Sequence, residues 1–185
     1  MTQAGLTTKH TPWIHVLAAP MPDTRQSPSQ IWPVAHEDAR RVLVRYLRGS
    51  AVRDTHALFS EYSAAMQFPY YFGRNWDAFN DCLCDLSWLL YEWFDGRGEV
   101  VPAAIITIML DADDVLPDDP AAFRTWVELL HDAGESWLHP ESSNSNRPPV
   151  VFRTILQTGK DAAALLDRLR AAGQPFNLFD LANTR

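Results

Sequence analysis

Cysteine is scarce: Cys82 and Cys84 are the two in 185 residues, which excludes a disulfide framework and a four-cysteine zinc site. Basic residues are outnumbered as well, 16 against 23 acids, for a net charge of −7. That opposes a nucleic-acid or acidic-membrane binder, because phosphate contacts need clustered Lys and Arg. No apolar run approaches the roughly 20 residues that span a bilayer. Lys9 and His10 precede a short Trp13–Pro20 stretch that is too polar and too brief for a secretory segment, so the expectation is a soluble cytoplasmic protein without membrane contact. The six histidines (His10, His15, His36, His56, His131, His139) show no metal-ligand spacing, and neither metal nor cofactor is expected. What remains, 46% hydrophobic with 11% aromatic residues, is the composition of one globular domain, large enough to fold without staples.

The acids are unevenly placed. Residues 70–119 hold eleven (Asp77, Asp81, Asp85, Glu92, Asp95, Glu99, Asp111, Asp113, Asp114, Asp118, Asp119) against Arg74 and Arg97, a net of −9, while the rest of the chain nets +2. Clustered acids repel one another, so the asymmetry reads either as a surface that meets a cation or as solvated caps and loops.

Along the chain, the Thr-, Ser-, Gln- and Pro-containing residues 1–30 read as a loosely held arm whose Trp13–Leu17 patch offers one extra strand. Val42–Leu47 reads as a strand. Asp54 is an N-cap for a helix carrying Leu58, Phe59, Tyr62, Ala65 and Met66, closed by Pro69. Ala103–Leu110 is an unbroken apolar run, as in a strand buried on both faces of a parallel sheet. Asp119 and Pro120 open a helix with Phe123, Trp126, Val127 and Leu130 inward, and Gly134 is its expected stop. His139–Pro149 is a loop and Val150–Leu156 a strand. Asp161–Ala172 is an amphipathic helix with Leu165, Leu166 and Leu169 inward. This order favours a small parallel sheet with right-handed crossovers.

The segment from Pro69 to Trp88 carries the chemistry. Gly73 permits a turn, and Asn75 caps a helix starting at Trp76. Trp76, Phe79, Leu83 and Leu86 form its core stripe, and Asp77, Asp81 and Asp85 repeat at i, i+4, i+8 on the other side. Carboxylates at that spacing repel by a few tenths of a kcal/mol per pair. The helix dipole compensates Asp77 but helps Asp81 and Asp85 less. No Lys or Arg stands three or four residues from Asp81. An acidic ladder beside exposed tyrosines suits docking to a basic cleft.

The pattern Tyr-Phe-Gly-x-Asn-x-Asp-Ala-Phe-x-Asp-Cys-Leu, running from Tyr71 to Leu83, resembles the barstar family of ribonuclease inhibitors. The resemblance implies an α/β fold: a small three-stranded parallel sheet packed with helices, over residues 39–158. Residues 1–38 would then be an N-terminal extension, either an extra strand or partly disordered, and 159–185 a C-terminal helix and tail. It also implies that this helix fills the basic active site of a microbial ribonuclease, one to one, its carboxylates standing where RNA phosphates bind. By position Tyr71, Asn75, Asp77 and Asp81 would be contact residues with Asp81 central, and Tyr70, Gly73, Asn80 and Asp85 complete the expected surface. Asp118 and Asp119 are candidates for a further contact acid, Asp119 being equally explained as an N-cap. Arg74 and Asn80 depart from the family pattern, acidic and aromatic at those places, and residues 91–101 lengthen a connection; both bear on which partner is bound.

Two other readings stand beside this one. An immunity or antitoxin protein of the same fold could neutralise a toxin that is not a ribonuclease. A metal-dependent enzyme could use Asp111 and Asp113 after the buried strand, although no Gly-rich phosphate loop accompanies them. A Cys-His hydrolase would need an activated thiolate; Cys82 should instead pack at the core edge and Cys84 lie exposed, and the two point apart on the helix.

Overall fold

The computed structural model describes residues 9, 12–18, 42–90, 102–140, 147–159 and 162–179. The elements are β1 (Ile14–Ala18), β2 (Val42–Arg48), α1 (Thr55–Ala65), α2 (Trp76–Asp85), the single turn α3 (Ser87–Leu90), β3 (Ala104–Leu110), α4 (Pro120–Leu138), β4 (Val151–Thr158), α5 (Ala162–Ala172) and β5 (Phe176–Phe179). The strands form one all-parallel sheet in the order β2-β3-β4-β1-β5.

The expected sheet of three strands is therefore corrected to five. β2, β3 and β4 are the three the sequence indicates. β1 then pairs along the other edge of β4, Ile14 opposite Thr154 and Ala18 opposite Thr158, and β5 pairs with β1. Segments outside the resembling region thus hydrogen-bond to an edge that a three-stranded sheet would leave open. The Trp13–Leu17 patch does form a strand, whereas the C-terminal segment adds a strand as well as the expected helix.

Alternating side chains explain the unbroken apolar runs. Ile14, Val16, Leu43, Leu47, Ile105, Met109, Phe152 and Leu156 join the inner faces of the helices in the main core. Leu17, Val42, Ala104, Ile106, Ile108, Val151 and Ile155 form a second cluster. β3 is buried from Ala104 through Met109, as a central parallel strand should be. The main core carries an aromatic layer: Tyr62 of α1 meets Phe79 of α2 edge to face at 4.9 Å, and Trp126 Nε1 of α4 donates to the Tyr62 hydroxyl at 3.1 Å.

The predicted caps are in place. Asp54, Asn75 and Asp119 each accept from the backbone N–H three residues on, at 2.8, 2.8 and 2.9 Å. Gly134, however, does not stop α4, which runs on to Leu138. A Cβ there would meet Trp13 Cδ1 at 2.5 Å and Cδ2 at 2.7 Å, so the glycine makes room for Trp13 rather than ending the helix. Trp13 is buried, and its Nε1 donates to Glu135 Oε1 at 2.7 Å. The C-terminal helix is tied down by Arg168, which donates to the carbonyls of Val115 and Leu116 at 2.6 and 2.8 Å and stacks 3.8 Å over Phe123.

Candidate functional site

The segment between α1 and α2 is shaped by aromatic pairs of opposite fate. The Phe72 N–H donates to the Pro69 carbonyl at 2.9 Å, closing a four-residue turn with Tyr70 and Tyr71 at its two corners. Flanking the turn, Phe68 is buried and Phe72 packs on the core, their rings 5.0 Å apart. With both flanks anchored, the corners point outward: Tyr70 is 100% and Tyr71 67% exposed, with rings edge to face at 5.5 Å. Arg74 follows in the left-handed region at φ 50, and its Nη1 donates to Ser60 Oγ of α1 at 2.9 Å.

Phe79, Leu83 and Leu86 of the predicted core stripe are fully buried and Trp76 is half-buried, which turns the opposite side of α2 to solvent. Asp77, Asp81 and Asp85 are all exposed there. Neither Asp77 nor Asp81 makes a hydrogen bond or ion pair with a described residue. Asp85 differs: its Oδ2 accepts from Ser87 Oγ at 3.2 Å, and its charge acts on the Arg147 guanidinium. Gly73 and Asn75 are exposed at the start of the same face, and Asn80 is half-buried with its Oδ1 3.7 Å from Cys84 Sγ. The tyrosine corner and the first two aspartates are thus all exposed within residues 70–81.

The outlying acids are placed differently. Asp119 spends a carboxylate oxygen on the α4 cap, and Asp118, highly exposed, lies 3.9 Å from Arg53. Asp113 Oδ1 accepts from Thr158 Oγ1 at 2.6 Å, while the Asp111 N–H donates to Gln157 Oε1 at 3.1 Å in a left-handed turn. These contacts fix the turn after β3. Among the described residues no group of three or more His, Cys, Asp or Glu side chains is arranged to hold a metal ion, and no helix is long and apolar enough to cross a membrane.

Cys82 is buried; Cys84, expected to be exposed, is half-buried against the core. Burial, with Asp81 and Asp85 nearby, pushes the Cys82 thiol up to about 11, and burial raises Cys84 too. Both shifts oppose the thiolate that a nucleophile requires.

Sequence reasoning missed the contacts at the far end of α2. Trp137 Nε1 of α4 donates to the Leu83 carbonyl at 2.7 Å, and Arg147 donates to the Cys84 carbonyl. Arg147 lies 63 positions from Cys84, so no local pattern could have signalled the contact.

The exposed charge of this face of the parallel α/β domain has the sign of a phosphate and would repel a nucleic-acid backbone. The sequence model of the family described as Barstar (barnase inhibitor) matches residues 42–157, from the first residue of β2 to the penultimate residue of β4. The chain belongs to the barstar family. No curated protein matches it. Among solved structures, it is similar to a chain of the Drosophila ORC bound to DNA, at 11% identity and a TM-score of 0.47 over 90% of this chain and 25% of that one. It is also similar to the Aeropyrum pernix ORC2 protein in its ADP form, at 9% identity and a TM-score of 0.46 over 94% of this chain and 43% of that one.

Proposed function

We propose that the protein is a stoichiometric inhibitor of a basic microbial ribonuclease, in which α2 enters the active site and Asp77 and Asp81 occupy phosphate positions. The observation that carries this reading is the pair of exposed carboxylates one helical turn apart, unpaired with any described cation, beside Tyr70 and Tyr71 at full and 67% exposure. Membership of a family described by barnase inhibition supports it.

A ribonuclease cleft holds its phosphates with Arg, Lys and His. Carboxylates placed there form charge-assisted hydrogen bonds, bidentate where arginine is the partner. The tyrosine corner excludes water around those pairs, which raises their strength. The net of −9 over residues 70–119 speeds encounter with a basic enzyme at low salt. The protein performs no chemistry in this reading; it binds, and needs neither metal nor cofactor.

Arg74 and Asn80 favour a second reading in which the same surface meets a different basic toxin, since they depart from the family's pattern just before α2 and in its middle. The deciding experiment is a titration of barnase-catalysed RNA hydrolysis. Inhibition that reaches completion at one equivalent and tightens at low salt supports the ribonuclease reading. Full activity at a hundredfold excess rejects barnase as a target and favours the second.

A further inference from the structure

We propose that Arg147, together with Trp137, sets the angle and rigidity at which α2 presents its carboxylates, so that partner affinity depends on a residue that the contact surface does not include; this rests on α2 being the partner-binding element. An α-helix leaves the carbonyls of its last turn without internal donors. In α2 the carbonyls of Cys82, Leu83 and Cys84 each have a donor, from three directions. The Leu86 N–H takes the Cys82 carbonyl at 3.3 Å, Trp137 Nε1 takes that of Leu83 at 2.7 Å, and Arg147 takes that of Cys84.

The donors are rigidly seated. Trp137 is fully buried in the last turn of α4. The Arg147 guanidinium stacks 3.6 Å over the Trp137 ring and donates a second time, to the Ser136 carbonyl at 3.0 Å. One planar cation therefore bridges the C-terminal ends of α2 and α4. A cation at that end also complements the partial negative charge of the helix terminus. The C-cap itself is Leu86, at φ 47, where glycine is usual. The helix end is held by its neighbours rather than by a cap residue suited to the conformation.

The lever is long enough to matter. Asp77 lies about 10 Å from the clamp at 1.5 Å per residue, so a tilt of about 5° displaces it by about 1 Å. A charge-assisted hydrogen bond of about 2.8 Å does not survive that displacement. Two carboxylates that must meet two fixed cations together gain most from a helix ordered before encounter. Asp85, beside Arg147, is then part of the clamp's surroundings, which leaves Asp77 and Asp81 as the free pair.

The test uses Arg147→Met, which keeps the stem over Trp137 and deletes the donors, and Arg147→Lys, which restores charge without the planar fork. Two quantities are read: amide exchange at residues 82–86 in the free protein, and inhibition of barnase. Arg147→Met should speed exchange at 82–86 about tenfold, leave α1 amides unchanged, and weaken inhibition about tenfold, mainly through faster dissociation. Arg147→Lys should fall between it and wild type. In an Asp81→Ala background the same Met substitution should weaken inhibition less than threefold, because one of the two pairings that must be met together is already gone. Unchanged exchange overturns the clamp. Faster exchange and sensitivity to Asp81→Ala, with inhibition indifferent to Arg147→Met, overturn the positioning role alone. Inhibition indifferent to both substitutions overturns the reading of α2 itself.

Discussion

Replacing Gly134 by alanine sets a helix's preference against a tertiary contact. In an exposed helix the change gains about 1 kcal/mol, because alanine loses less backbone freedom than glycine. At Gly134 the added Cβ would stand 2.5 Å from Trp13 Cδ1 and 2.7 Å from Cδ2, with Cγ closer still. Trp13 has little room to yield: it is 1% exposed and holds Glu135 through its indole N–H. Overpacking that shifts β1 costs about 1–3 kcal/mol, and expelling the tryptophan would cost about 3–5 kcal/mol. Set against the helical gain, Gly134→Ala should destabilise the protein by about 2 kcal/mol, read as a lower urea midpoint by far-UV circular dichroism. In a Trp13→Ala background the obstacle is absent, and the same change should stabilise by about 1 kcal/mol. A stabilising effect in the wild-type background, or an equal cost in both, would refute the claim that Gly134 makes room for Trp13.

Three further outcomes are expected. Burial, with the Arg153 guanidinium alongside, holds His15 at about 3 against its usual 6.5; the unfolded chain takes up that proton near 6.5 while the fold refuses it, so stability falls as pH drops between those values. The loss should reach about 2 kcal/mol at pH 5 and shrink in His15→Gln, measured by denaturation across pH. Arg168→Met removes the donors to the Val115 and Leu116 carbonyls; a loss of about 2–3 kcal/mol and faster proteolysis within residues 162–179 should follow. Asn75→Ala should lose about 1 kcal/mol of stability with the α2 cap, and Asn75→Asp should retain it.

Much of the fold is legible locally. Asp54, Asn75 and Asp119 cap helices because each is a short acceptor ahead of an apolar stripe, and Ala103–Leu110 is buried on both faces because nothing polar but Thr107 interrupts it. Thr107 is satisfied by Thr154 Oγ1 at 2.8 Å. Strand order is another matter. β5 is four residues following Pro175, too short to alternate visibly, and exists because β1 offers it an edge. β1 in turn lies beside β4, more than a hundred residues away. Gly134 reads as a stop because the residue that needs its missing side chain, Trp13, is remote in sequence. At the candidate site, the aspartate spacing and the tyrosine turn follow from nearest neighbours. The separation of Asp85 from Asp77 and Asp81 does not, because Arg147 arrives from a distant loop. Residues 1–8, 19–41 and 91–101, where an extension, an arm and a lengthened connection are expected, lie outside the described residues.

In the proposed complex, exposed carboxylates on α2 replace phosphates in a basic pocket. The most direct measurement is the inhibition constant for barnase of Asp81→Ala beside that of Asp85→Ala. Asp81 has no described partner, so in the complex its removal strands a desolvated cation on the enzyme, at about 3 kcal/mol or roughly a hundredfold or more in affinity. Asp85 already serves Ser87 and lies near Arg147, and its removal should change affinity less than about fivefold. Equal effects at the two positions, or a larger one at Asp85, would contradict the claim.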